Sequence, residues 1–254
     1  MTKKITVRKG QLGLLSRQGD YYQVLEAGEH RLPWFNVPDV LIVNRDGSEV
    51  PEALAEYLRR FQPQWVERYC LAADLTDIET GALYANGVLQ DILPPSTRRL
   101  YWSAGDEMRL LRIDTRQVEV PADIMNAVLQ PRRHGAVKGR EAILTVSVPA
   151  WHVGVLKIDG ETQALLQPGL SAYWKVNHLV EAEVVDTRLQ VLEVGGQEIL
   201  TKDKVNLRLN LAANWRYSDV LQAFGQLTKP LDHLYRELQF ALREAVGTRT
   251  LDEL

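Results

Sequence analysis

Apolar and polar positions alternate with a period of two, broken often by turn residues, over residues 5–45, 65–121 and 141–194. That period predicts half-buried β-strands. Gly19-Asp20 between Leu12–Ser16 and Tyr21–Leu25, Asn86-Gly87 between Gly81–Ala85 and Val88–Ile92, and Asp159-Gly160 each predict a hairpin turn. Glu181–Val194 reads as one long strand. Gly195-Gly196 then reads as a turn into a returning strand that begins Gln197–Thr201, and Lys202-Asp203-Lys204 as a second tight turn. The cleanest alternation follows. Val205, Leu207, Leu209, Leu211, Ala213 and Trp215 share one face, with Asn206, Arg208, Asn210, Asn214 and Arg216 on the other.

Helical spacing appears in a few places. Leu54, Tyr57, Leu58 and Phe61 follow Pro51 and stop at Gln62-Pro63. Asp123–Leu129 predicts a short helical turn. Ser218 is placed to cap a helix with Val220, Leu221 and Phe224 inward. Thr228 is placed to cap a longer one, with Pro230 in its first turn and a stripe of Leu231, Leu234, Tyr235, Leu238 and Leu242. Gly247 fits its end, and a further helix begins at Leu251.

The three β regions also share wording. Lys9-Gly10-Gln11-Leu12-Gly13-Leu14-Leu15, Glu79-Thr80-Gly81-Ala82-Leu83-Tyr84 and Trp151-His152-Val153-Gly154-Val155-Leu156 open them. Leu25-Glu26-Ala27-Gly28, Ile92-Leu93-Pro94-Pro95 and Leu166-Gln167-Pro168-Gly169 follow, then Pro33-Trp34, Tyr101-Trp102 and Tyr173-Trp174. The last two regions continue into Asp114-Thr115-Arg116 and Asp186-Thr187-Arg188. Repetition puts like residues at like offsets, which core and turn positions need. Trp34, Trp102 and Trp174 are therefore read as core plugs. The Asp and Arg of each triplet are read as pairing on one strand face. The fold class is α+β: tandem β-rich repeat units at 1–64 (with a helix) and 65–140 (with a basic linker), then a domain at 141–254 whose antiparallel strands are packed by C-terminal helices.

The composition is that of a globular chain. Of 254 residues, 45% are hydrophobic and 25% charged, with a formal net charge of -3, so charge gives no reason to expect nucleic acid as a partner. The single cysteine, Cys70, excludes an internal disulfide framework and suits a reducing compartment. No signal peptide or membrane span is legible, so a cytoplasmic location is expected. Pro131-Arg132-Arg133-His134-Gly135, with Lys138 and Arg140, reads as a solvated basic linker.

No catalytic, cofactor-binding or metal-ligating residue stands out. There is no Gly-rich phosphate loop and no Gly-x-Ser-x-Gly elbow. His30, His134, His152, His178 and His233 are scattered, none within four residues of another His or Cys. An enzyme built on the basic loop with His134 and His152 has no identifiable nucleophile–base pair. The expectation is a protein that is not an enzyme and carries no cofactor.

Three stretches together resemble the SPFH (Band 7, prohibitin-homology) domain of the stomatin/slipin family. They are Val153-Gly154-Val155 through Leu166-Gln167-Pro168-Gly169-Leu170, Val185–Val191 with Gln197–Val205, and Leu242–Leu254. The resemblance implies a non-enzymatic scaffold that forms homo-oligomers and organises partner proteins, at a membrane surface in many members. It also implies an alternative, a regulatory adaptor that binds a membrane-associated protease, or an NfeD-like partner. In the family an assembly coiled coil follows this domain; here the sequence stops where that helix should begin, so it is expected either beyond Leu254 or to be lacking from the protein. The family's hydrophobic anchor is replaced here by β repeats, so any lipid contact is expected to be peripheral, at the inner face of the membrane.

Overall fold

The computed structural model describes residues 2–33, 35–103, 107–130 and 136–254. The chain divides into two bodies, residues 1–143 with 174–177, and residues 144–173 with 178–254.

Fifteen strands fall into three sets with one pairing order. In the first set, β1 (Thr2–Val7) pairs with β4 (Gly28–Pro33), and β2 (Gln11–Arg17) lies between β3 (Asp20–Leu25) and β5 (Asp39–Asn44). In the second, β6 (Cys70–Asp74) pairs with β9 (Arg98–Trp102), and β7 (Glu79–Ala85) lies between β8 (Val88–Leu93) and β10 (Met108–Asp114). In the third, β11 (Ile143–Val148) pairs with β14 (Gly169–Trp174), and β12 (His152–Ile158) lies between β13 (Glu161–Leu166) and β15 (Val180–Asp186).

The central hairpin of each set has the same geometry. Both turn residues have positive φ: Gln18 and Gly19 (54° and 92°), Asn86 and Gly87 (52° and 73°), Asp159 and Gly160 (52° and 84°). Such pairs match the right-handed twist of the flanking strands. The first turn is thus Gln18-Gly19, one residue earlier than the sequence suggests, because Asp20 already pairs with Arg17. A bulge follows at one offset in all three, after Leu15, Leu83 and Leu156.

Two residues earlier stands a glycine with no room for a side chain. A Cβ on Gly13 would lie 3.3 Å from Val7 Cγ2, on Gly81 2.9 Å from Leu110 Cδ1, and on Gly154 3.1 Å from Val148 Cγ2. The missing side chains let the neighbouring apolar groups close over the central strand.

In the N-terminal body, α1 (Glu52–Phe61) and α2 (Pro63–Tyr69) cover the first two strand sets. Leu12, Leu14, Val50, Leu58, Tyr69, Leu100 and Trp102 form the main cluster. α1 is anchored by a two-pronged ion pair from Arg59 to Asp74, at 2.8 and 2.6 Å. α2 was not expected; only Gln62 separates it from α1, and Pro63 opens it at the position where a missing N–H costs nothing. α3 (Ala122–Leu129) buries Ile124. Trp102 and Trp174 are buried as expected. Trp34, and the basic stretch 131–135 with His134, lie outside the described residues.

The C-terminal body adds a two-stranded ribbon, β16 (Gln190–Leu200) with β17 (Asn206–Trp215), and helices α4 (Val220–Gln226) and α5 (Pro230–Gly247). Four expectations are corrected here. The strand expected over Glu181–Val194 breaks at Thr187–Leu189, where Thr187 donates from both N–H and Oγ1 to the Trp151 carbonyl, at 3.0 and 2.6 Å. Gly195-Gly196 is a bulge within β16, not a reversal; Asn210 Oδ1 accepts the Gly196 N–H at 2.7 Å. The chain reverses only at Lys202–Lys204, as the second expected turn had it. α4 is capped by Asp219, whose carboxylate accepts the Gln222 N–H at 2.9 Å, rather than by Ser218, and Leu221 faces solvent. Lys229, not Thr228, holds the cap position of α5, with no side-chain cap bond. After α5, Thr250 and Glu253 form a reciprocal capping box around a short 3-10 turn at Leu251–Glu253.

Candidate interaction surface

Polar side chains of the strand sets are used locally. Thr115 donates from N–H and Oγ1 to the Ile78 carbonyl, both at 2.9 Å, the same double bond that Thr187 makes to Trp151. On either side of each threonine, Asp114 binds Arg116 and Asp186 binds Arg188 through their side chains and through the arginine N–H. The pairs form as expected, but in the turn that ends each strand rather than along a strand face. Arg116 holds the Asp114 carboxyl down at about 2, and Arg188 holds that of Asp186 lower still.

The sign of this coupling gives a prediction. A carboxylate with a depressed folded pKa favours the fold above its unfolded pKa, about 3.9. That preference is lost as pH falls through the folded value. In Arg116→Ala the midpoint seen at the Asp114 carboxyl carbon should rise from about 2 in the parent chain but stay below the usual carboxylate range, because the main-chain N–H of residue 116 still donates to it. NMR pH titration checks it; an unmoved midpoint would remove Arg116 as the cause.

The described histidines are held apart. His30 Nε2 lies 2.7 Å from the Glu26 carbonyl, His152 Nδ1 3.0 Å from the Ala150 carbonyl, and His178 Nδ1 2.8 Å from Asp159 Oδ2. Among the described residues, no group of three or more His, Cys, Asp and Glu side chains could hold a metal ion. Cys70 is a free thiol whose pKa burial pushes up to about 11, so it is mostly protonated near neutral pH.

Two hollows remain. One, of about 550 Å³ in the N-terminal body, mixes Asp46, Glu49 and Asp91 with Arg99 and Lys138 around Tyr101. The other, about 510 Å³, lies in the C-terminal body along β15. Glu183, Val184, Val185 and Asp186 form one wall; Trp215, Tyr217 and Phe224 stand with them, and Lys229–Asp232 at the start of α5 close it.

The aromatic side is built from contacts in series. Trp215 meets Tyr217 edge-on at 5.0 Å, and Tyr217 meets Phe224 at 5.7 Å. Beneath them Val155, Val185 and Val220 are buried. Burial, then the charge of Glu183, raises the Tyr217 phenol pKa, so it stays a neutral donor near neutral pH. The wall formed by β15 is a sheet edge, since among the described residues β15 pairs only with β12. This surface sets an aromatic wall against an acidic strand edge with unpaired backbone, and it has few reactive groups. It is suited to holding a chain rather than transforming one.

Sequence reasoning did not find this groove. Its one local signal is Trp215-x-Tyr217 followed by Phe224, read there as strand and helix core positions.

Residues 146–254 match the SPFH domain / Band 7 family. Over 87 residues the chain is 36% identical to a stomatin homolog of Pyrococcus horikoshii, covering 34% of this chain and 32% of that protein. A stomatin homolog of Pyrococcus abyssi matches to the same extent. An uncharacterized protein of Archaeoglobus fulgidus is 31% identical over 110 residues, 42% of each chain. The chain thus spans about a third of the length of the stomatin homologs. No solved structure matches it. The groove, the ribbon and α5 all fall in residues 146–254, the segment that matches the SPFH domain / Band 7 family.

Proposed function

We propose that this chain is a non-enzymatic, slipin-like scaffold that self-assembles and displays partner proteins, with three copies of one β module as its framework. The observation that carries this is the apolar surface left open on the SPFH domain. β17 buries none of its ten residues; its leucines are only half covered. Val191, Leu200 and Phe240 are each about 60% exposed (62%, 59% and 62%). These half-covered and exposed apolar side chains along the ribbon and α5 offer contact points to a neighbouring copy.

The groove along β15 favours a second reading, an adaptor that grips a segment of a membrane-associated protease. Any membrane contact of the assembly is proposed as peripheral: among the described residues no helix is long and apolar enough to cross a bilayer.

Light scattering across a wide concentration range separates the two readings. The scaffold reading expects a mass that climbs well above the 28.8 kDa of one chain. A constant single-chain mass would overturn it and leave the adaptor.

A further inference from the structure

We propose that two edges of the SPFH domain are complementary halves of one contact. The basic start of β17 in one copy adds as a strand to the acidic edge of β15 in the next. This rests on the self-assembly reading above and names its interface.

Both strands have one unpaired side. Among the described residues β17 pairs only with β16, and β15 only with β12. β17 is an edge guarded by charge alone: it has ten residues, contains no proline, and the bulge of the ribbon lies in β16 instead. Long edges without a proline or a bulge of their own are templates for a further strand. Its Leu207 and Leu209 are half-buried, which a neighbouring strand would complete.

The charges are opposite. The turn into β17 and its first half carry exposed Lys202, Lys204 and Arg208. The one acid there, Asp203, is occupied by the Thr201 hydroxyl and the Leu251 N–H. β15 carries exposed Glu181 and Glu183 and no base; across its groove Asp232 is matched by Lys229 at 3.9 Å. Asp186 is already matched by Arg188. Each edge has one counter-charge a strand further in. Lys157 lies opposite Glu181 and Glu198 opposite Arg208, but neither register pair closes to an ion pair.

The two edges differ, so the contact is head-to-tail: every copy offers one edge of each kind. Such contacts propagate into a ring or an open chain.

Charge exchange tests the pairing. Lys204→Glu with Arg208→Glu makes both edges acidic; Glu181→Lys with Glu183→Lys makes both basic. Each double variant alone should need about ten-fold or more higher concentration to assemble than the parent. An equimolar mixture should regain parental assembly, because acidic β17 edges then meet basic β15 edges and the native edges meet each other. That rescue also shows both variants folded. Raising the salt should weaken the parental assembly. If the variants assemble like the parent, the edge pairing is wrong and the scaffold reading stands. If each stays dissociated and the mixture does too, the pairing is overturned. A parent chain that is monomeric throughout overturns pairing and scaffold together. If that monomer binds a synthetic Lys/Arg-rich strand in the groove, the β15 edge belongs to another partner.

Discussion

Gly139→Ala is expected to destabilise the N-terminal body by about 3 kcal/mol or more. Gly139 sits at φ +68°, where a residue with a Cβ loses about 1–2 kcal/mol. Space adds the larger part. A Cβ there would lie 2.1 Å from the carbonyl oxygen of Ile92, and this neighbour is backbone, unable to swing aside. It is also pinned: the Ile92 N–H donates to the Lys138 carbonyl at 3.0 Å, and the Lys138 N–H to the Gln90 carbonyl at 3.1 Å. Relief requires breaking that bridge or shifting β8. Gly160→Ala is the control. Its φ is +84° with nothing within 4 Å, so it should lose only the backbone part, about 1 kcal/mol. Urea unfolding followed on each body checks both. Equal losses for the two variants would mean that the Ile92 contact yields easily.

Trp174→Ala is expected to cost about 3–5 kcal/mol. The indole is fully buried, at 0% exposure, so the loss comes from its packing; the main-chain N–H of Trp174 donates to the Val118 carbonyl at 2.7 Å, a bond alanine keeps. Removing the ring leaves a void that surrounding strands fill only in part. Trp151→Ala is the comparison. Trp151 is 72% exposed and is held through its main-chain carbonyl by Thr187, a bond alanine keeps. Its loss should stay within about 0.5 kcal/mol. Thermal or urea unfolding reads both; a large loss at Trp151 would mean that its ring packs in solution.

These two tryptophans show what the sequence could tell. Repeated phrases marked turns and cores well, because a hairpin turn and a plug residue depend on near neighbours. Asn86-Gly87 and Asp159-Gly160 sit where their backbone demands place them. Gly195-Gly196 carries the same local signal, yet it is a bulge. The decision is made by Asn210, fourteen residues on, which accepts the Gly196 N–H. The break at Thr187 is likewise set by a carbonyl thirty-six residues back, at Trp151. The groove was least legible. Its walls come from 183–186, 215–224 and 229–232, segments that no period links. α2 was missed because seven residues are too few to show helical spacing.

The three hairpin tips share a backbone but not an attachment. Nothing lies within 4 Å of a Cβ at Gly19, Gly87 or Gly160. Yet the third tip is moored. The Asp159 carboxylate accepts the Leu179 N–H at 2.9 Å and reaches His178, and the Asp159 N–H donates to the Leu179 carbonyl. The second tip is tied as well, since the Asn86 N–H donates to the Glu107 carbonyl at 2.7 Å. Loop grafting therefore has its free berth at Gln18-Gly19, where an epitope or fluorophore can be spliced in without cutting a main-chain tether. At Asp159-Gly160 the same splice would loosen the approach to β15. For anyone labelling this protein, the first β unit is the handle, and the third carries the strand edge proposed above as an interface.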